Sequence, residues 1–175
     1  MCGATGDESN TDAQIAALEG CEVYLGTLSL QSDVSSVAPL ASLRVLGGEL
    51  LVGGTDSPLP TLAGLEQLES VGKLTLAAHY VSDLLPLHSL QEVKGDFTAL
   101  SMFNLVDLRG LEGLAVVEGN FLLLANPMLT SLDGLDGLEQ VQGDFEATSY
   151  MTPLPRPEVQ ALVDRIQIGG MINTD

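Results

Sequence analysis

The chain has no tryptophan and few aromatic side chains, since Phe and Tyr together make up only 4% of its 175 residues. Hydrophobic residues nevertheless reach 45% of the chain, so its core must be built from aliphatic side chains. A chain of this length normally forms one folded domain. We therefore expect a single domain with a leucine-rich core.

Basic residues are also scarce, with 6 Lys and Arg against 24 Asp and Glu and a formal net charge of −18. This charge would repel both a nucleic-acid backbone and an anionic membrane face. No apolar run approaches the roughly 20 residues that a membrane-spanning helix needs. The composition therefore predicts no nucleic-acid partner and no direct membrane insertion.

Standard catalytic motifs are missing: there is no P-loop, no H-E-x-x-H helix, no EF-hand loop and no G-x-S-x-G elbow. A metal pair of His79 and His88 would need a third ligand such as Asp83. Calcium at the acidic corners is a weaker alternative, because the β-roll calcium pattern is absent. The corner acids concerned are Asp107, Glu112, Asp133 and Asp136. We predict a non-catalytic protein without a cofactor.

The feature that dominates the chain is a repeat, seen most clearly over residues 129–147 (LTSLDGLDGLEQVQGDFEA). Apolar residues fall at every third position and then alternate with polar ones. A glycine stands just before each alternating stretch, at intervals of 22 to 24 residues. These glycines are Gly26, Gly48, Gly72, Gly95, Gly119 and Gly143. The pattern predicts a repeat solenoid of about six coils with one strand in each coil.

Within each strand, residues two and four positions after the glycine are expected to point inward. This places Phe97, Phe121 and Phe145 in one internal column. Short helices are expected to cover both ends of the solenoid. We predict a flexible lead over residues 1–11, a repeat domain with an N-terminal cap helix over 12–156, and a C-terminal capping helix and tail over 157–175.

The positions three and five residues after each glycine face outward in this scheme, and several of them are leucines. Leu100, Leu122 and Leu124 should lie together, with Leu51 farther along and Thr75 and Thr98 between. A contiguous apolar patch on an acidic protein indicates a protein contact. The alternative is that a loop or the N-terminal lead covers it. An acidic rim of Asp96, Asp144 and Glu146 would favour a basic partner.

Cys2 and Cys21 are the only cysteines. One interpretation pairs them in a disulfide that ties the lead to the first repeat. A second is that Cys2, at the head of a small and polar tether, resembles the lipidated start of a mature bacterial lipoprotein. Two unrelated thiols are the third.

The segment CEVYLGTLSL, followed by repeats of the form L-x-x-L-x-x-L-x-x-V-x-G-[DN]-F-x-[LA], resembles the receptor L domain. This leucine-rich β-helical module occurs in insulin-receptor and epidermal-growth-factor-receptor ectodomains, and the resemblance covers roughly residues 21–148. It implies a right-handed parallel β-helix with an exposed sheet as the binding face. It also implies a disulfide near the N-terminus. Short bacterial relatives on the cell surface, many of them lipoproteins, look more similar to this chain than the animal receptors do.

Two functional classes follow from these observations. The first is a cell-surface binding or adhesion module that captures a protein partner. The second is a structural envelope protein that self-associates through the outward leucines. Both imply an extracytoplasmic location, at a bacterial cell surface or in the periplasm, with lipidation of Cys2 as a candidate anchor.

Overall fold

The computed structural model describes Cys2 and residues 10–54, 59–148 and 154–174. In these parts there are two α-helices, α1 (Asp12–Ala16) and α2 (Arg156–Arg165), and two short 3₁₀ helices, Ala38–Leu40 and Leu85–Leu87. The strands are β1 (Val23–Tyr24), β2 (Leu28–Leu30), β3 (Val45–Gly54), β4 (Ser70–Ala78), β5 (Glu92–Val93), β6 (Phe97–Leu100), β7 (Val116–Val117), β8 (Phe121–Leu124), β9 (Gln140–Val141), β10 (Phe145–Thr148), β11 (Gln167–Ile168) and β12 (Ile172–Thr174).

All twelve strands of the described residues belong to one sheet, and every pairing among them is parallel. The main strand order is β11-β9-β7-β5-β4-β6-β8-β10-β12, and β3 pairs with β1, β2 and β4. The prediction of a repeat solenoid, a right-handed parallel β-helix of about six coils, is therefore wrong. The structure has one central sheet instead of separate faces wound as coils.

The long strands β3 and β4 explain this difference. Each runs through its repeat glycine without a break, whereas later repeats have two short strands, one before and one after that glycine. β4 consequently pairs with both β5 and β6, and this joins the two rows of short strands in one sheet. The sequence pattern does not distinguish a continuous strand from two interrupted ones, because the glycine is present in both.

The core is one hydrophobic cluster, and most of its side chains are aliphatic. It contains the strand residues that point inward and the apolar residues at every third position of the connections. Leu105, Leu108 and Leu111 are examples from one connection, and all three are fully buried. The rings of Phe97 and Phe121 are stacked at 4.6 Å, and those of Phe121 and Phe145 at 5.6 Å. The predicted internal phenylalanine column is therefore confirmed.

Both helices lie in segments whose sequences predict them. α1 begins with a capping box, in which Thr11 Oγ1 accepts from Gln14 N and Gln14 Oε1 accepts from Thr11 N. α2 packs with Val159 and Leu162 buried. Its last residue, Arg165, donates to three backbone carbonyls, those of Leu135, Asp136 and Leu138.

The division into a lead, a repeat domain and a C-terminal helix with tail stays a prediction. Within the lead, Met1 and residues 3–9 lie outside the described residues. The C-terminal segment 157–175 contains more than a helix and tail, since it adds β11 and β12 to the sheet. β12 occupies the position after Gly170 that β10 occupies after Gly143, so the chain has a seventh repeat whose three-residue spacing is replaced by α2.

Candidate functional site

The outward positions of neighbouring strands lie in one continuous row. Leu51 on β3 pairs with Thr75 on β4, and Thr75 pairs with Thr98 on β6. The row continues from Thr98 to Leu122 on β8. All four side chains are partly exposed. The strands β4 and β6, which carry threonine in this row, therefore separate Leu51 from Leu122. Leu51 lies at the margin of any apolar contact made by the leucines of β6 and β8.

A second row, nearer the ends of the strands, contains Leu100 and Leu124. These residues are direct partners on β6 and β8, and Leu122 lies two positions before Leu124 on the same face. Leu100 is 39% exposed, and Leu122 and Leu124 are half-buried. The three leucines form the centre of an apolar surface, which we call the leucine face.

The connections that follow β4, β6 and β8 also carry exposed apolar side chains. Phe103 is 47% exposed and contacts the His79 ring edge to face, with ring centroids 4.7 Å apart. Tyr80, Val106 and Met128 are also exposed apolar residues of these corners. For Tyr80 and Phe103 the sequence contains a signal, since both stand eight residues after their repeat glycine. None of these corner residues was predicted from the sequence.

Asn126 holds one of these corners in place. Its side chain is buried, its Oδ1 accepts from Met102 N at 2.9 Å, and its Nδ2 donates to Ala99 O at 2.9 Å. Ser101 and Ala125 precede the two corners with φ of 54°, a backbone conformation that is uncommon outside glycine. The corner that presents Phe103 is therefore fixed by a buried amide from the next repeat.

Replacing Asn126 with alanine should lower the free energy of unfolding by about 2 to 3 kcal/mol, because two buried backbone groups lose their partner. The exposed Asn104 is a matched control, since its Nδ2 makes a single bond to His79 O at 2.8 Å. Asn104→Ala should cost less than about 1 kcal/mol. Urea denaturation of both variants tests this, and equal losses would contradict the role of Asn126.

The three acids expected to rim the leucine face have different roles. Asp96 Oδ1 accepts from Asn120 N at 2.9 Å, and Asp144 Oδ1 accepts from Met171 N at 2.7 Å. Asn120 Oδ1 accepts from Asp144 N in the same manner. Asp96 and Asp144 therefore connect one repeat to the next. Glu146 lies on the outer face, paired with Leu122 across the strands, and is the acid closest in register to the leucines.

The N-terminal lead contacts the opposite end of the sheet. Cys2 and Cys21 form a disulfide with their Cα atoms 6.0 Å apart. Asn10 bonds to the backbone of Ser29 on β2, several strands away from Leu122. The described residues of the lead, Cys2, Asn10 and Thr11, therefore do not cover the leucine face.

The sequence raised two metal sites, a pair of His79 and His88 and a calcium site at the acidic corners. Among the described residues, no group of three or more His, Cys, Asp or Glu side chains is placed to hold a metal ion. Asp107, one of the corner acids, is engaged by Arg109, whose Nε donates to Asp107 Oδ2 at 2.8 Å. This hydrogen bond lowers the pKa of Asp107.

Comparisons with protein-family models, with curated proteins and with solved structures give no match. The resemblance to receptor L domains therefore stays a prediction. Among the helices that the structure describes, none is long and apolar enough to span a bilayer.

Proposed function

We propose that this chain is a non-catalytic binding module that captures a protein partner on the leucine face. The observation that carries the proposal is the alignment of Leu100, Leu122 and Leu124 on adjacent strands, with Phe103 exposed at the corner that follows. An outward leucine adds little to a core that Phe121 and Leu123 already fill. Contiguous exposed apolar surface on a folded domain is typical of a protein-interaction site.

The charge of the protein indicates the kind of partner. With a net charge of −18 and Glu146 beside Leu122, the leucine face lies in a negative field. A partner with basic residues around an apolar centre complements this surface. Its association should be fast at low ionic strength and slower as salt screens the attraction.

The disulfide supports an extracytoplasmic location, because such bonds persist mainly in oxidising compartments. A bacterial cell surface or periplasm is the location we propose. Lipidation of Cys2 would require the same Sγ that the disulfide occupies. A lipid-anchored form would therefore lack the bridge, and Cys21 would carry a free thiol.

Site-specific photo-crosslinking tests the binding face. A photoreactive residue at Thr98, which pairs with Leu122 at the border of the leucine face, should give adducts with a protein partner in the cells that produce the chain. The same residue at Leu85, an exposed apolar position outside the face, is the control. Equal adducts at both positions would show that the contact is not specific to the leucine face.

The double substitution Leu122→Ser with Leu124→Ser should reduce the adducts formed at Thr98 by at least about tenfold, since it removes the apolar centre of the contact. Folding should be nearly unchanged because both side chains are only half-buried. The control pair Leu25→Ser with Leu85→Ser removes two exposed leucines elsewhere. Unfolding of the Leu122/Leu124 variant alone would show that these leucines belong to the core.

A further inference from the structure

The last repeat leaves a sheet edge open within the described residues. There, β12 pairs only with β10, and β11 pairs only with β9. In the four preceding repeats the residue two positions after the repeat glycine donates its N–H to the next repeat, as Phe121 N does to Asp144 O at 2.8 Å and Phe145 N to Met171 O at 2.9 Å. Ile172 is the equivalent residue of β12, and its N–H points to an edge where no described strand follows. Thr174 has the same orientation two residues later.

The side chains at this edge are apolar and uncovered. Met171 is 73% exposed and Ile172 is 51% exposed. Ile172 pairs with Phe145, so it extends the internal phenylalanine column, but no described residue covers its outer side. Residues 167–174 (QIGGMINT) contain no charged side chain, in a chain that carries a net charge of −18. Natural proteins usually protect an open edge with charges, and residues 167–174 of this edge provide none.

The first edge of the sheet is closed. Cys2 N donates to Val23 O on β1 at 3.2 Å, and Asn10 N donates to Ser29 O on β2 at 3.0 Å. Asn10 Oδ1 also accepts from Ser29 N at 2.7 Å. A second copy therefore cannot pair its β1–β2 edge with the open β12 edge of the first copy. The arrangement that remains is two open edges facing each other about a twofold axis, which makes the two β12 strands antiparallel.

The ladder of acidic and amide side chains agrees with this arrangement. Asp96, Asn120 and Asp144 each accept a backbone N–H from the following repeat. The corresponding position in the last repeat is Met171, which has no oxygen to accept such a bond. A further parallel repeat would therefore lose this contact, whereas an antiparallel strand does not need it.

The charges beside β12 are complementary under a twofold axis. Arg156 lines a groove with Thr174 at one end of the strand, and Asp144 binds Met171 N at the other end. Arg156 makes no ion pair with any described residue, unlike Arg44, Lys73, Lys94 and Arg109. Antiparallel pairing brings the Arg156 end of one copy beside the Asp144 end of the other.

We propose that the chain forms a twofold dimer in which β12 pairs antiparallel with β12 of a second copy. The dimer continues the sheet across the two copies and covers Met171 and Ile172. It uses a surface separate from the leucine face. A variant can therefore lose the dimer and still bind the protein partner, or lose the partner and still dimerise.

Sedimentation equilibrium of the 175-residue chain over a range of concentrations tests the proposal. The edge is short, so we expect a weak monomer–dimer equilibrium in which the dimer fraction rises with concentration. Ile172→Lys should weaken the dimer at least about tenfold, because it places a charge on the paired edge. The control Leu85→Lys, at another exposed apolar residue, should change the dissociation constant by less than about twofold.

Two further measurements distinguish edge pairing from other modes of association. Arg156→Glu should weaken the dimer, whereas Lys94→Glu, with the same change in net charge, should not. Hydrogen exchange at the amides of Ile172 and Thr174 should slow as the protein concentration rises, because their N–H groups become bonded. A monomer at all concentrations would overturn the proposal. So would a dimer that survives Ile172→Lys but is lost in the Leu122→Ser/Leu124→Ser variant.

Discussion

Replacing Phe121 with alanine is expected to lower the free energy of unfolding by about 3 to 5 kcal/mol, the range for deleting a fully buried phenylalanine. Its ring is fully buried and stacked between those of Phe97 and Phe145, nearly parallel to both. Its Cα is also in register with both residues in the sheet. The cavity would therefore lie in the middle of the column, where rigid strands on either side limit collapse.

Phe103→Ala is the matched control, because this ring is exposed at a corner and contacts only one other ring, that of His79, among the described residues. Its removal should cost less than about 1 kcal/mol. Urea denaturation followed by far-UV circular dichroism measures both variants. A loss below about 1 kcal/mol for Phe121→Ala would show that the column contributes little to stability.

Removing the disulfide with Cys2→Ala and Cys21→Ala should cost about 3 kcal/mol, since the bridge closes a loop with a sequence separation of 19 residues. The loss acts mainly on the unfolded chain, which gains conformational freedom. The folded chain should also change locally, because the bond from Cys2 N to Val23 O depends on the lead staying in place.

Comparing the double alanine variant with the reduced wild type separates the loss of the bridge from the loss of the two thiol groups. Both lack the bridge, so their unfolding free energies should agree within about 1 kcal/mol, and both should lie below the oxidised protein. Non-reducing mass analysis of protein from its native source distinguishes the Cys2–Cys21 disulfide from a lipidated Cys2. A lipidated Cys2 with an alkylatable Cys21 would show that the native form does not contain the disulfide.

The sequence predicts the repeat, the parallel strands and the internal phenylalanine column because these depend on local spacing. Phe97, Phe121 and Phe145 stand two residues after successive glycines, so equal intervals place them above one another once the strands pair in register. The helices α1 and α2 also have local signals, in Thr11 with Gln14 and in Pro157 with Glu158. Such features need no knowledge of distant residues.

The seventh repeat has no such signal in the sequence, and the repeat pattern does not predict it. Ile168 and Ile172 pair with Val141 and Phe145, yet α2 replaces the leucines that mark the earlier repeats. The interval from Gly143 to Gly170 is also longer than the earlier ones. A pattern that identifies a repeat by its spacing fails where an inserted helix changes that spacing while the strand pairing is kept.

The sequence by itself determined which residues face inward and outward, because alternation along a strand is a property of the backbone. The spacing from each repeat glycine is therefore enough to place Leu100, Leu122 and Leu124 on the outer face. Only the tertiary structure decided that all described strands belong to one sheet, since the continuity of β3 and β4 depends on partners on both sides. It also decided that Cys2 and Asn10 close the first edge and that the last edge is open among the described residues, because hydrogen bonds between distant segments leave no periodic signal in the sequence.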